Sequence, residues 1–498
     1  MNSQIFERKL SPTLLGFMSV FSILAMFSLA ISYRPVADDY QQVINVVNLG
    51  SVANYQEIRN ILDSSLLGSF SYYVIYEFLA NTTLKNWSLI IFLQFLIITF
   101  LIYLLIVLSV GLHKSKTSKW LFVVASLTLL IFSCFGSPQK SYMTFTWTAS
   151  FFAHTVPELL MYILGLTIFL KNSEKIVESK IIILAVLVSL WGAIDPIISF
   201  LTIAPLLIWK IVMRANQSDK PLVLFSALKF YGSIFGVMLS GVIILVFGPS
   251  TQRRVSFSEL QSTNSGDFFE RLPGIALLAF RENVVSNVIS ILLTFLLGVL
   301  VGVLKTRFKL KADISWSVIA VLLLLLVFRK LVVIGVESFS YFGVWHHGTA
   351  SVVLLVVVFL VAFKVSENWK FSTSKLALTS ILFLGGQVAL ISDIDLQSNA
   401  IQDGWNENKT ENLKNCAKKS FKPNHRFSNF LESPKTFTWQ EMSCGAGSNF
   451  DFNTKPNLAS SPSVFFKIQK KLNHLYDVQI LSFVDDPATK DSLERHLY

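Results

Sequence analysis

Residues 88–112 read SLIIFLQFLIITFLIYLLIVLSVGL, a run with no charged side chain. At 1.5 Å per residue a helix of this length crosses the ~30 Å hydrocarbon core of a bilayer. Comparable runs recur along all but the last fifth of the chain, near 12–32, 120–136, 155–171, 181–194, 197–213, 228–248, 285–304, 315–335, 349–364 and 375–392. Composition agrees with them. The 498 residues are 53% hydrophobic and 15% charged, and the mean hydropathy is +0.57. A soluble domain carries about 25% charged residues. The sequence therefore predicts an all-α polytopic membrane protein with about eleven spans over 1–392. The pair 181–194 and 197–213 reads as a tight helical hairpin broken only at Asp195-Pro196, with one broken helix as the alternative.

The formal net charge of +11 is a matter of topology and does not point to nucleic acid. Arg8 and Lys9 precede the first run, and the next short loop on that side holds Lys114, Lys116 and Lys119. Lys171, Lys175 and Lys180 follow, then Lys210, Arg214 and Lys220, then Lys305, Arg307, Lys309 and Lys311, and finally Lys364, Lys370 and Lys375. Alternate loops are basic, which marks the cytoplasmic side. The first run is long and lacks a small-residue cleavage site, so it reads as a retained anchor. An odd number of spans from a cytoplasmic N-terminus puts the C-terminus outside, as in a bacterial inner or plasma membrane protein.

Three segments fall outside on this topology. The loop 33–87 contains YQQVINVVNLG (40–50) and ILDSSLLGSFSYYVIYEFLA (61–80), whose apolar spacing predicts amphipathic helices at the interface. The loop 249–284 is polar and then amphipathic. The tail 393–498 carries a helical pattern at SVFFKIQKKLNHLY (463–476) and a strand-like VQILSFV (478–484), and is expected to form a small α+β extracytoplasmic domain. It holds Cys416 and Cys444, two of the three cysteines. Outside the cytoplasm they are expected to form a disulfide worth a few kcal/mol. Non-reducing mass mapping should recover the linked peptides, and two free thiols would rule the bond out. Cys134 lies in a span and reads as a small core residue.

The polar residues near the outer face are the candidate site. RPVADDY (34–40) leaves the first run with Arg34, a stiffening Pro35, the carboxylate pair Asp38 and Asp39, and Tyr40. Acidic groups at a helix C-terminus oppose the helix dipole, so the pair asks for another reason to be there. One carboxylate can accept a proton from a hydroxyl while its neighbour raises or orients it. VFRKLVVIGVESFSYFGVWHHGT (327–349) places Arg329 and Lys330 about two-thirds of the way to the outer face. At that depth cations snorkel to headgroups or hold a ligand such as a lipid phosphate. His346 and His347 are further donors, and Glu337 is a candidate partner for Arg329. WTASFFAHTVPELLMY (147–162) puts His154 and Glu158 four apart, on one helix face if the helix starts early. Asp195 is either an N-cap or a cavity acid. Paired histidines suggest metal, but no third ligand stands at a zinc spacing. A divalent cation is left open as cofactor, and no other is implied.

A first helix, then ADDY opening a long outer loop with two interfacial helices, then many further spans, resembles the GT-C class of membrane glycosyltransferases. The resemblance covers the topology of residues 1 to about 390, and it is sharp in sequence only at RPVADDY. Many bacterial members carry a Gly-Arg pair later in this loop, where this chain has Gly68-Ser69. The resemblance implies a polyprenyl-phosphate-linked sugar as donor and a first-loop Asp, here Asp38 or Asp39, as general base. It implies inverting transfer at the outer face to a glycan, lipid or protein acceptor. A polysaccharide polymerase or ligase and a lipid-linked sugar flippase or transporter are the alternative readings.

Overall fold

The computed structural model describes residues 3–32, 55, 66–80, 85–111, 116–134, 145, 148, 151–171, 177–192, 195–217, 221–248, 288–307, 312–339, 347–367, 369, 378–389 and 392. Asp38, Asp39, Arg34, Tyr40, His346, the loop 249–284 and the tail 393–498 with Cys416 and Cys444 lie outside them. So do the side chains of Glu337 and His347.

The described residues are helical. In chain order they form α1 (Ser3–Ser32), α2 (Leu66–Ala80), α3 (Lys85–Val110), α4 (Lys116–Cys134), a π-turn (Phe151–Thr155) continuous with α5 (Val156–Leu170), α6 (Glu178–Ser189), α7 (Asp195–Gln217), α8 (Pro221–Val246), α9 (Val288–Arg307), α10 (Trp316–Phe339), α11 (His347–Ser366) and α12 (Leu378–Ala389). Every apolar run read from the sequence coincides with one of these helices. Seven are long and apolar enough to cross a membrane: Ser88–Val110, Phe151–Leu170, Asp195–Asn216, Leu228–Val246, Val288–Lys305, Trp316–Ile334 and Thr349–Ser366. Among the described residues the chain is all-α, with the helices of a polytopic membrane protein.

The run 181–194 becomes α6, and its twelve residues span only about 18 Å. It pairs with α7 as a hairpin. Lys171 binds Glu178 at the start of α6, and Lys210, near the end of α7, donates to the Phe169 carbonyl at the same end (2.8 Å). The two helices are therefore antiparallel. Of the two segments expected at the interface, the second is α2. Its Leu67 amide donates to the Leu190 carbonyl (2.9 Å), which docks α2 on the α6–α7 turn.

Close packing in a membrane rests on small residues, because lipid tails are as apolar as leucine. Gly298 and Gly302 are one turn apart on α9. A Cβ on Gly298 would lie 2.6 Å from the Phe359 carbonyl of α11, and one on Gly302 would meet Ser366. The backbones of α9 and α11 can approach this closely only because both positions are glycine. Helix α5 is the centre of the bundle, with 89% of its span enclosed. It packs against α3, α6, α7, α10 and α11.

One end of the bundle collects the lysines. Lys305 binds Glu367, and Lys364 binds Asp313 and Glu367 at 2.9 Å each. The Lys364 hydrogen bond holds the Asp313 carboxyl below the usual carboxylate range. Lys171 lies over the Phe230 ring (3.8 Å). Of the lysines that the sequence assigns to one side of the membrane, Lys171, Lys210, Lys305 and Lys364 lie at one end of the described bundle.

Candidate functional site

At the other end, α5 enters the bundle through the Phe151–Thr155 π-turn. Pro157 follows directly on that π-turn in the first turn of α5, where the fixed φ of its ring suits the helix. The helix thus starts early enough to bring His154 into register with Glu158 and then Tyr162, four residues apart each time. Such positions lie one above another on one face.

His154 Nδ1 is 2.8 Å from Asp195 Oδ2, and the Asp195 side chain is 2% exposed. Asp195 begins α7, where a carboxylate complements the positive end of the helix dipole. The sequence left Asp195 as cap or cavity acid, and the structure aims it at His154. The turn ahead of it depends on Gly192, whose φ is +100°. A Cβ there would lie 2.7 Å from the Ala153 carbonyl and 2.7 Å from Asp195 Cβ. Gly192→Ala is therefore expected to destabilise the fold by roughly 1–3 kcal/mol from the backbone conformation alone, and to disturb the His154–Asp195 pair. Its thermal transition in detergent should fall below that of Gly16→Ala, a position with nothing within 4 Å of a new Cβ.

One turn deeper, Arg329 Nη2 of α10 donates to Glu158 Oε2 of α5 at 2.5 Å. The side chains are 0% and 1% exposed. The two residues lie at one level. Glu158 is about 18 Å from Leu170 and Arg329 about 20 Å from Trp316, counted along their helices. Arg329 thus turns into the protein and does not snorkel to the headgroups. The partner the structure supplies for it is Glu158, while the side chain of Glu337 lies outside the described residues.

Further groups complete the cluster. Asp195 and Lys330 are near enough to act electrostatically on Glu158, and Tyr162 lies within the field of both Glu158 and Arg329. The Thr349 hydroxyl of α11 stands beside the Glu158 carboxylate without closing a hydrogen bond of good geometry. Glu158 Oε1 and the Tyr162 hydroxyl are buried and have no hydrogen-bond partner among the described residues. Buried polar atoms are normally satisfied by protein, water or a ligand. Two carboxylates, Glu158 and Asp195, thus gather with two cations, Arg329 and Lys330.

The structure thus joins four residues singled out in the sequence, His154, Glu158, Asp195 and Arg329, with Lys330 beside them. Tyr162 and Thr349 were missed. Tyr162 was within reach of the same argument, since it continues the four-residue spacing from His154. Thr349 carries no sequence signal, because its place depends on how α11 packs. Among the described residues no group of three or more His, Cys, Asp or Glu side chains is placed to hold a metal ion. No family model, no curated protein and no solved structure matches this chain.

Proposed function

We propose that the chain is a membrane glycosyltransferase that moves a sugar from a polyprenyl-phosphate donor to a cell-surface glycan, lipid or protein acceptor, with inversion. The observation that carries this reading is the gathering of Arg329, Lys330, Glu158, His154 and Asp195 at the end of the bundle opposite the lysines. Ionisable groups at that depth are costly in lipid and mark a substrate or ion path. Two adjacent cations suit the phosphate of a lipid-linked sugar, whose leaving group then needs no strong acid. The base is assigned to Asp38 or Asp39, and His346 and His347 are further donors to the phosphate. Purified protein, a polyprenyl-phosphate sugar and an acceptor extract test the reading, and no transfer across a panel of sugars would overturn it.

The finer topology belongs to this reading. The lysine end faces the cytoplasm, about eleven helices cross the membrane, and residues 393–498 form an external α+β domain. Reporter fusions at residues 114 and 175 are expected to report cytoplasm, and a fusion at 450 the outside. A cytoplasmic signal at 450 would remove the basis for an outer-face site.

A second reading, a flippase or proton-coupled transporter, has one observation in its favour. His154, Glu158 and Tyr162 form a ladder of titratable groups leading into the bundle, the arrangement used by intramembrane proton relays. Movement of the lipid-linked sugar across proteoliposomes without transfer would select it.

A further inference from the structure

We propose that Glu158 is an internal counter-ion on Arg329 that a phosphate-type oxyanion displaces, and that binding the anion is linked to uptake of one proton by Glu158. The proposal rests on the assignment of Arg329 to the phosphate site and adds how that site opens. Arg329 is held in a buried pair by a carboxylate from another helix. An anion on that guanidinium competes with the carboxylate for the same buried positive charge. Simply moving an ionised Glu158 aside would strand a buried charge, which is the costliest outcome in such a site.

The surroundings provide for protonation. Glu158 Oε1 is buried and has no hydrogen-bond partner among the described residues, so an oxygen is present to take the proton. The groups acting on it are Tyr162 from α5, Asp195 from α7, Arg329 and Lys330 from α10 and the Thr349 hydroxyl from α11. His154 is 16% exposed and bonded through Nδ1 to Asp195. The ring stands one turn from Glu158 towards the bundle end.

A proton from the buffer acid in solution adds to Glu158 Oε1, and the buffer's conjugate base stays in solution. Oε2 releases Arg329 Nη2 as the carboxylate becomes a carboxylic acid. Arg329 loses that counter-charge, and a negative charge on the incoming anion takes its place. Proton and anion enter together and leave together. By linkage each strengthens the binding of the other.

The test uses the full chain in nanodiscs of zwitterionic lipid, with two probes whose charge does not change near neutral pH. Sulfate represents a free oxyanion and a prenyl phosphodiester a lipid headgroup. Titration calorimetry in buffers of different protonation enthalpy counts protons. The wild type is expected to take up about one proton per anion, with affinity rising up to about tenfold per unit fall in pH. Glu158→Gln should bind with no proton uptake and with affinity independent of pH. Binding of the phosphodiester alone would open the site to the membrane, and binding of sulfate as well would open it to water; both support the proposal when protons are taken up. Infrared difference spectra should show a protonated carboxylic acid appearing on anion addition, which locates the proton even if Glu158→Gln fails to fold. Binding without proton uptake, uptake that persists in Glu158→Gln, or no binding of either probe would overturn it. Failure of sugar transfer alone leaves this proton count intact, so the two readings fail separately.

Discussion

Asn in place of the acting carboxylate of the Asp38–Asp39 pair is expected to lower sugar transfer by about 10²- to 10⁴-fold, the usual yield of a general base. The acceptor hydroxyl is a poor nucleophile until its proton has somewhere to go, and Asn accepts no proton at neutral pH. The change is close to isosteric, so folding and donor binding should survive. One member of the pair should matter far more than the other, because its neighbour acts by raising or orienting it. Purified Asp38→Asn and Asp39→Asn proteins, compared with wild type under saturating donor, give the answer. Donor binding measured separately distinguishes a lost base from a lost fold. Wild-type rates in both variants would reduce the pair to a solvated helix exit, and transport or polymerisation would then be the better reading.

The apolar helices, seven of them long enough to span a membrane, were legible because a bilayer imposes a length and a polarity that survive without any knowledge of packing. The run 88–112 needed only its lack of charge, and α3 follows it closely. The hairpin at Asp195-Pro196 was legible as a break, but not the role of Gly192. Its positive φ and the Ala153 carbonyl beside it, which belongs to a distant part of the chain, exist only in the folded turn. The candidate site was legible one helix at a time. Spacing placed His154 and Glu158 on one face, and depth made Arg329 conspicuous. Their joining was not, because Glu158 and Arg329 are 171 residues apart and meet only through the packing of α5 on α10. A sequence argument looks for a partner nearby, which is why it offered Glu337. The closeness of α9 and α11 was hidden for the same reason. Gly298 and Gly302 show a four-residue spacing, but only the fold says which helix they admit.

Removing one member of the Glu158–Arg329 pair is expected to destabilise the bundle by roughly 3–5 kcal/mol, because the survivor loses its buried ion-pair partner. Glu158→Ala and Arg329→Ala should therefore both lose folded protein on mild heating in detergent, read as the fraction remaining monodisperse. Removing both is a different experiment. In Glu158→Leu/Arg329→Met neither desolvated charge remains, and apolar side chains of similar volume fill the space. Such replacements of buried pairs are often neutral or stabilising by about 1–4 kcal/mol. The double variant is thus expected to match or exceed the wild type in stability while binding no oxyanion. That combination would mean the pair is kept for what it binds, since the bundle holds together as well without it. If the double variant is as unstable as the worse single one, the pair is structural. Its position on the most enclosed helix of the bundle would then be explained by α5–α10 packing alone, and Lys330 would be the cation left to meet a phosphate.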